Sequence, residues 1–171
     1  MTVNGIIAEY NPFHNGHRYQ LLNARSQTGA DYTVVVMSGN FMQRGTPALV
    51  DKWKRTEMAL RNGADLVLEL PVFYSVSSAE YFATGAVALL DQLGVVNHLC
   101  FGAECSEKKI LQRIADVFLE EPEGYVASLK QHLKEGSSYP IARSMALTQY
   151  APELLPYRDV LNASNNILAI E

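Results

Sequence analysis

The chain has 171 residues, 48% of them hydrophobic and 19% charged, and its formal net charge is −4 at pH 7. This composition can bury a core and excludes an intrinsically disordered chain. The acidic balance argues against a strongly basic nucleic-acid-binding domain, although it leaves RNA binding open. The cysteines, Cys100 and Cys105, form no C-x-x-C pair, so a zinc site is not expected. Because no apolar run approaches 18 residues, we expect a cytoplasmic protein without a membrane span.

Predicted strands and helices alternate through the first hundred residues. Continuous apolar runs predict strands at residues 3–8, 32–37, 64–70 and 95–101. Capping residues and apolar spacings of three and four predict helices at 16–26, at 52–62, and from 75, 77 or 78 to 93. This alternation predicts an α/β fold with a mostly parallel sheet and helices on both faces.

Beyond residue 105 the pattern is helical. It predicts helices at 106–119, 122–134 and 140–150, then loops at Pro152 and Pro156, then a helix near Ala163. We therefore divide the chain into a core at 1–105 and a helical extension of the same domain at 106–171. Residues 165–171 look like the first turns of a longer helix, and we expect the natural protein to continue past Glu171.

The strongest functional signal is Phe13-His14-Asn15-Gly16-His17, where the first strand passes into the first helix. A helix N-terminus offers unpaired N–H groups and a partial positive charge, and imidazoles there can donate to phosphate oxygens. The glycine would let a nucleotide approach the backbone. Since this loop lacks both G-x-G-x-x-G and the P-loop pattern, nucleotide binding would have to use the histidines.

This motif resembles the His-x-Gly-His signature of the nucleotidyltransferase superfamily, which includes adenylyltransferases and is related to class I aminoacyl-tRNA synthetases. Longer stretches narrow the resemblance to bacterial tRNA(Met) cytidine acetate ligases: AEYNPFHNGH at 8–17, MSGNFMQRGTPA at 37–48 and GADLVLELP at 63–71, together with 101–104 and 162–168. The resemblance covers essentially the whole chain. It implies a Rossmann-like, HUP-type nucleotidyltransferase fold with a helical C-terminal addition, truncated before a C-terminal tRNA-binding region.

The resemblance also implies a reaction. ATP and acetate would form acetyl-adenylate and pyrophosphate, and the acetyl group would pass to N4 of the wobble cytidine, position 34, of elongator tRNA(Met). Carboxylate attack builds negative charge on the α-phosphate, which His14 and His17 could stabilise together with the helix dipole. Mg²⁺ is expected with ATP, yet no cluster of carboxylates predicts a metal site built by the protein. The tRNA would bind mainly through a region absent from this chain.

Site residues follow from the resemblance and from position. His14 and His17 are the predicted catalytic residues. At the end of the second strand, Ser38, Gly39 and Asn40 are expected to line a small-substrate pocket. The ATP contacts implied by the resemblance are Ile7, Ala8, Glu9, Tyr10, Asn11, Pro12, Phe13, His14, Asn15, Gly16, His17, Arg18, Tyr19, Gln20, Gly102 and Asn162.

A basic stretch follows the second strand, and it comprises Arg44, Lys52, Lys54, Arg55 and Arg61. It is either a solvated helix face or, for the first four residues, a contact with phosphate of ATP or tRNA. Glu9 and Asn11 either shape an acetate pocket or hydrogen-bond the loop. We expect packing from Trp53 and structural roles from Asp65 and Glu69.

Two other functions stay open at this point. An adenylyltransferase that makes a nucleotide cofactor from ATP and a phosphomonoester would share the histidine motif. Its acceptor would need an additional cationic pocket, which the basic stretch permits. A non-catalytic nucleotide-binding module that regulates or scaffolds is the second alternative.

Overall fold

The computed structural model describes all residues, 1–171, and the chain forms two compact units, Met1–Gly102 and Ala103–Glu171. The first unit contains a four-stranded sheet with helices, and the second is helical. No helix in either unit combines the length and the apolar character needed to cross a membrane.

The sheet of the first unit is parallel throughout, with strand order β3-β2-β1-β4. The strands are β1 (Val3–Ala8), β2 (Tyr32–Ser38), β3 (Leu66–Leu70) and β4 (His98–Leu99). The register pairs Ala8 with Met37 and Ser38 with Leu70, so β1, β2 and β3 end side by side and their following loops share one edge. Since the strand order reverses around β1, the loop after β1 lies at the switch point where open α/β sheets bind ligands.

Helices cover both faces of this sheet, which confirms the predicted α/β fold. On one face Leu21 and Ala59 pack with Ile6 and Val35 in a single buried cluster. On the other face Leu90 packs closely against Gly5, where a Cβ would lie 2.8 Å from the leucine Cδ1. The helices are α1 (Asn15–Thr28), α2 (Lys52–Arg61), α3 (Val72–Ser75) and α4 (Ala79–Gln92).

The second unit is built from four α-helices and a 3₁₀ segment. Their bounds are α5 (Lys108–Glu120), α6 (Glu123–Lys134), α7 (Tyr139–Tyr150), the 3₁₀ segment Pro152–Asn162, and α8 (Ser164–Ile170). Ile114 and Val117 of α5 share a buried cluster with Tyr125, Leu147 and Leu154. α5 contributes to this cluster along one stripe, because its buried residues recur at helical spacing.

Two elements differ from the sequence-based expectation. The fourth strand is two residues long rather than seven, because it pairs only with Asn4 and Gly5 of β1. Of the three serines considered as the start of the helix before residue 93, Ser78 is the N-cap of α4, and the short α3 precedes it. The predicted proline loops form the 3₁₀ segment, whose first position tolerates Pro152.

Asp65, just before β3, joins three elements of the first unit. Its Oδ2 accepts the N–H of Thr33 in β2 at 2.7 Å and pairs with Arg25 of α1. Its own N–H donates to the carbonyl of Thr33 at 2.9 Å. Asp65 therefore has the structural role expected from its position before the third strand.

We expect Asp65→Ala to lower the free energy of unfolding by about 1–3 kcal/mol, because the Thr33 N–H loses a charged acceptor. Asp65→Asn should cost less, since an amide oxygen can still accept that hydrogen bond. Urea denaturation of the two variants measures the difference. Equal decreases in the free energy of unfolding would show that the hydrogen bond from the Thr33 N–H to the residue 65 side chain contributes nothing.

Candidate active site

The loop after β1 is held in an unusual backbone conformation. Tyr10 has φ 50°, in the left-handed region that bulky residues rarely adopt. Its side chain is 1% exposed, and its ring packs against those of Phe13 and His17 at centroid distances of 4.9 and 4.8 Å. Burial raises the pKa of the Tyr10 hydroxyl above its ordinary value. Backbone strain of this kind persists where packing determines the conformation, and it concentrates at functional sites.

Both histidines cap the start of α1. His14 is the N-cap residue, and its Nδ1 accepts the N–H of Gly16 at 3.0 Å. In return, Nδ1 of His17 accepts the N–H of His14 at 3.2 Å, which completes a reciprocal capping box. The two imidazole rings stack with centroids 3.7 Å apart and an interplanar angle of 23°. The sequence motif is therefore a rigid pair of side chains at a helix N-terminus.

These caps assign the proton on each ring. Because Nδ1 of His14 and Nδ1 of His17 both accept backbone hydrogen bonds, each neutral ring carries its hydrogen on Nε2. Burial, followed by the proximity of His14, lowers the pKa of His17 from 6.5 to about 4. His17 is therefore neutral at pH 7, and its Nε2–H is a donor left free by the cap. This arrangement suits a phosphate oxygen, which accepts hydrogen bonds and is attracted to the helix N-terminus.

The implied ATP contacts around the histidines follow one continuous path. Residues 7 and 8 end β1, residues 9–14 form the loop, and residues 15–20 open α1. Gly102 is the exposed last residue of the first unit. Asn162 ends the 3₁₀ segment of the second unit, where its Nδ2 donates to Asp159 Oδ1 at 3.0 Å.

A second loop, after β2, borders a cavity of about 200 Å³. Its lining residues are Gly39, Asn40, Phe41, Glu69, Val72 and Ser75. Of the three residues predicted to line a pocket, Gly39 and Asn40 do so. Ser38 does not, because its side chain is fully buried at the end of β2. Gly39 lies so close to the Glu69 carboxylate that a Cβ would overlap it.

Glu9 and Asn11 attach the first loop to the segment between β2 and α2. Glu9 Oε1 accepts the N–H of Gln43 at 2.6 Å, and Asn11 Oδ1 accepts the N–H of Leu49 at 2.8 Å. Of the two roles considered for these side chains, the structure shows the hydrogen bonding of the loop.

Arg55 differs from its expected place in a phosphate-binding patch. Its side chain is fully buried, and Nε donates to Val50 O at 2.9 Å. Nη1 donates to Glu9 O at 2.6 Å and to Ser38 O at 3.0 Å, and Nη2 donates to Gly39 O. The expectation of a phosphate contact is wrong for Arg55, because its donors face carbonyl groups inside the unit. The sequence carried one cue: Arg55 lies one helical turn before Ala59, the other buried residue of α2.

Carboxylates partner most of the remaining basic stretch. Lys52 Nζ lies 2.6 Å from Glu69 Oε2, while Lys54 and Arg61 both pair with Glu57, at 2.6 and 2.5 Å. The positive charge of α2 is thus largely neutralised within the first unit, which the count of basic residues did not reveal.

Trp53 is not packed as expected. Its side chain is 75% exposed, and Lys52 Nζ lies 5.3 Å from its ring centroid. Arg44 is also exposed. Trp53 and Arg44 therefore lie on the surface of the first unit.

An NMR titration tests the environment of His17. Its ring signals should titrate with a midpoint near pH 4, and His14→Asn should move that midpoint upward because a neighbouring imidazole is removed. The unfolded chain takes up a proton near pH 6.5, so the free energy of unfolding should decrease as pH falls from 6.5 towards 4. A wild-type midpoint at 6.5 would contradict the half-buried, capping geometry of His17.

Substitution of Arg55 tests its role in joining the loops. Arg55→Met should lower the free energy of unfolding by at least about 3 kcal/mol, because several buried carbonyls lose their donor. Arg55→Lys should lose less, since an ammonium group keeps the charge and up to three donors. Urea denaturation gives both values, and a methionine variant as stable as the wild type would refute the role.

Comparison with known proteins extends over the entire chain. The family described as HIGH Nucleotidyl Transferase matches residues 1–171. The chain is 53% identical over 171 residues to the tRNA(Met) cytidine acetate ligase of Acetivibrio thermocellus, covering 100% of this chain and 41% of that protein. It is 54% identical over 171 residues to the ligase of the same description from Thermoanaerobacter sp., covering 100% of this chain and 42% of that protein. The chain thus spans about two fifths of the length of these relatives.

Solved structures agree with the fold. Thermotoga maritima TmcAL bound with alpha-thio ATP is 47% identical and superposes with a TM-score of 0.94, covering 99% of this chain and 42% of that chain. Its apo form gives the same identity and TM-score over 99% of this chain and 41% of that chain. The parallel sheet, the histidine pair at the start of α1 and these matches over the whole chain show that the protein belongs to the HIGH nucleotidyl transferase family.

Proposed function

We propose that this chain is the ATP-binding and adenylate-forming part of a tRNA(Met) cytidine acetate ligase. The observation that carries the proposal is the stacked His14–His17 pair, whose capping bonds leave both Nε2–H groups free at the N-terminus of α1. The names of the relatives supply the substrates, and the Thermotoga maritima structure bound with alpha-thio ATP supports ATP as the nucleotide.

In the first step, a carboxylate oxygen of acetate attacks the α-phosphorus of ATP. The bond to the oxygen that bridges to the β-phosphate breaks, and pyrophosphate leaves with the electron pair. Negative charge increases on the α-phosphate oxygens, where the Nε2–H groups of His14 and His17 would donate. A preorganised donor of this kind contributes about 10²–10³ in rate. Because the capping box orients both rings, little reorganisation is needed when the charge develops.

In the second step, N4 of the wobble cytidine of elongator tRNA(Met) attacks the acetyl carbonyl carbon, and AMP leaves. The wobble base lies in a loop, so no base pair has to be broken. ATP, acetate and tRNA are all available in the cytoplasm, where we place the reaction.

Most of the remaining site residues keep their proposed roles. ATP would contact residues 7–20, Gly102 and Asn162, and the exposed Arg44 would reach a phosphate of ATP or tRNA. Lys52 and Lys54 are paired with Glu69 and Glu57, so no phosphate contact is proposed for them. Mg²⁺ would arrive on the ATP phosphates. The structure brings no three His, Cys, Asp or Glu side chains together as a metal site, so no residue is assigned to it.

The alternative of a cofactor-forming adenylyltransferase has less support. A phosphomonoester acceptor needs unpaired cations, yet Lys52 pairs with Glu69 and Arg55 is buried. A non-catalytic module would not require the two free Nε2–H groups at the start of α1. This alternative therefore leaves that pair of donors without a role.

Two assays test the proposal on the full-length natural protein. With ATP, labelled acetate and unmodified elongator tRNA(Met), label should enter the RNA, and tRNA with uridine at position 34 should stay unlabelled. His17→Ala should lower acetate-dependent ATP–pyrophosphate exchange by about 10²–10³. His98→Ala, at an exposed histidine of β4, is the matched control and should retain wild-type exchange. Exchange that requires nicotinate mononucleotide or phosphopantetheine in place of acetate would overturn the proposal.

A further inference from the structure

The cavity after β2 has a chemistry that the ATP contacts do not use. Its volume of about 200 Å³ is below the roughly 300 Å³ at which pockets for drug-sized ligands begin. Phe41 and Val72 supply apolar walls and remain 44% and 59% exposed. Asn40 and Glu69 supply polar groups. A small planar ring with a polar edge would fit such a lining.

The polar lining favours a ligand that donates hydrogen bonds. Glu69 is the ionisable residue of the lining, and Lys52 holds its Oε2 at 2.6 Å. A carboxylate accepts hydrogen bonds, and it repels another carboxylate such as acetate. Carboxylates in proteins accept from the exocyclic N4 amine of cytosine. N3 and O2 of the same base are both acceptors, and the amide Nδ2 of Asn40 can donate to them.

We propose that this cavity receives the cytosine ring of the acceptor nucleotide, with Glu69 accepting a hydrogen bond from N4. Asn40 would read the neighbouring ring edge, and Phe41 would pack against the ring. This inference rests on the proposed function, because the cytidine acceptor is taken from it. It names the base as the substrate group that occupies the pocket bordered by Gly39 and Asn40.

The location of the cavity suits transfer between the two substrates. Glu69 is aligned with Met37 of β2, which is aligned with Ala8 of β1, so the carboxyl ends of all three strands lie along one edge. Arg55 binds the carbonyls of Glu9 and Gly39, and thereby fixes the histidine loop beside the cavity loop. A base in the cavity therefore lies at the same edge as a nucleotide held by the histidines.

Glu69 would also take part in the acetyl transfer. The N4 lone pair forms a bond to the acetyl carbonyl carbon, the carbon–oxygen bond to the phosphate breaks, and AMP leaves with its electron pair. One of the two N4 hydrogens passes as a proton to the Glu69 carboxylate and then to water. The amine is a weak nucleophile because its lone pair is conjugated with the ring, so a positioned base accelerates this step by about 10²–10⁴.

A binding experiment tests the pocket without any chemistry. Fluorescence anisotropy would compare a labelled anticodon stem-loop of elongator tRNA(Met) carrying cytidine at position 34 with the same RNA carrying uridine. The protein should prefer cytidine by about tenfold or more, because uridine presents a carbonyl oxygen to the carboxylate. Glu69→Gln should reduce this preference to below about threefold, since an amide can face either base. Equal binding of both RNAs by the wild type would overturn the proposal.

A kinetic experiment separates the two half-reactions. Glu69→Gln should lower the rate constant for acetyl transfer to tRNA by at least about 100-fold and change acetate-dependent ATP–pyrophosphate exchange much less. Glu57→Gln, which alters a partly exposed carboxylate of α2 outside the cavity lining, is the matched control and should change neither. A raised KM for acetate in the exchange reaction, with normal transfer, would assign the cavity to acetate and overturn the proposal. Absence of acetate-dependent exchange in the wild type would instead refute the proposed function. The preference for cytidine over uridine in the binding experiment would then be the test of whether the cavity binds cytosine.

Discussion

The hydrogen bonds of the buried Arg55 side chain hold the candidate site together. Its guanidinium binds carbonyl groups of the loop after β1, the loop after β2 and the approach to α2. Burial lowers the pKa of Arg55, and the carboxylates of Glu9, Asp51 and Glu69 oppose that shift. A buried cation is tolerated when its donors are satisfied, and a guanidinium offers five donors in a fixed plane. The two loops therefore keep one arrangement, which fixes the position of the histidine pair relative to the cavity.

The histidines combine a structural and a chemical role in the same rings. Their Nδ1 atoms satisfy backbone N–H groups that a helix start otherwise leaves unpaired. This use orients the rings and selects the Nε2–H tautomer, so the remaining donors point away from the cap. Tyr10, in its left-handed conformation, packs under His17 and limits its movement. The unfavourable free energy of the left-handed Tyr10 backbone is offset by packing that fixes the histidine donors.

The proposed nucleotide site of the first unit lies among few free cations. Lys52, Lys54 and Arg61 are paired with carboxylates, and Arg55 is buried. Phosphate binding would then depend on imidazole donors, backbone N–H groups and the dipole of α1 rather than on net positive charge. Such a site fits a chain whose formal net charge is −4.

The sequence by itself determined the parallel α/β architecture and the position of the histidine motif. Both depend on local patterns, namely apolar runs, helical spacing and residues at a strand-to-helix junction, that are readable in short windows. The tertiary structure decided which side chains point inward or outward. Arg55 is buried because its carbonyl partners come from separate loops, Ser38 is covered where β2 ends, and Trp53 is left exposed because no element packs over it. It also decided that Glu69 borders a cavity, since that depends on the alignment of β3 with β2 and on a glycine thirty positions earlier. Contacts between residues distant in the chain carry no periodic signal, so only the folded structure reveals them.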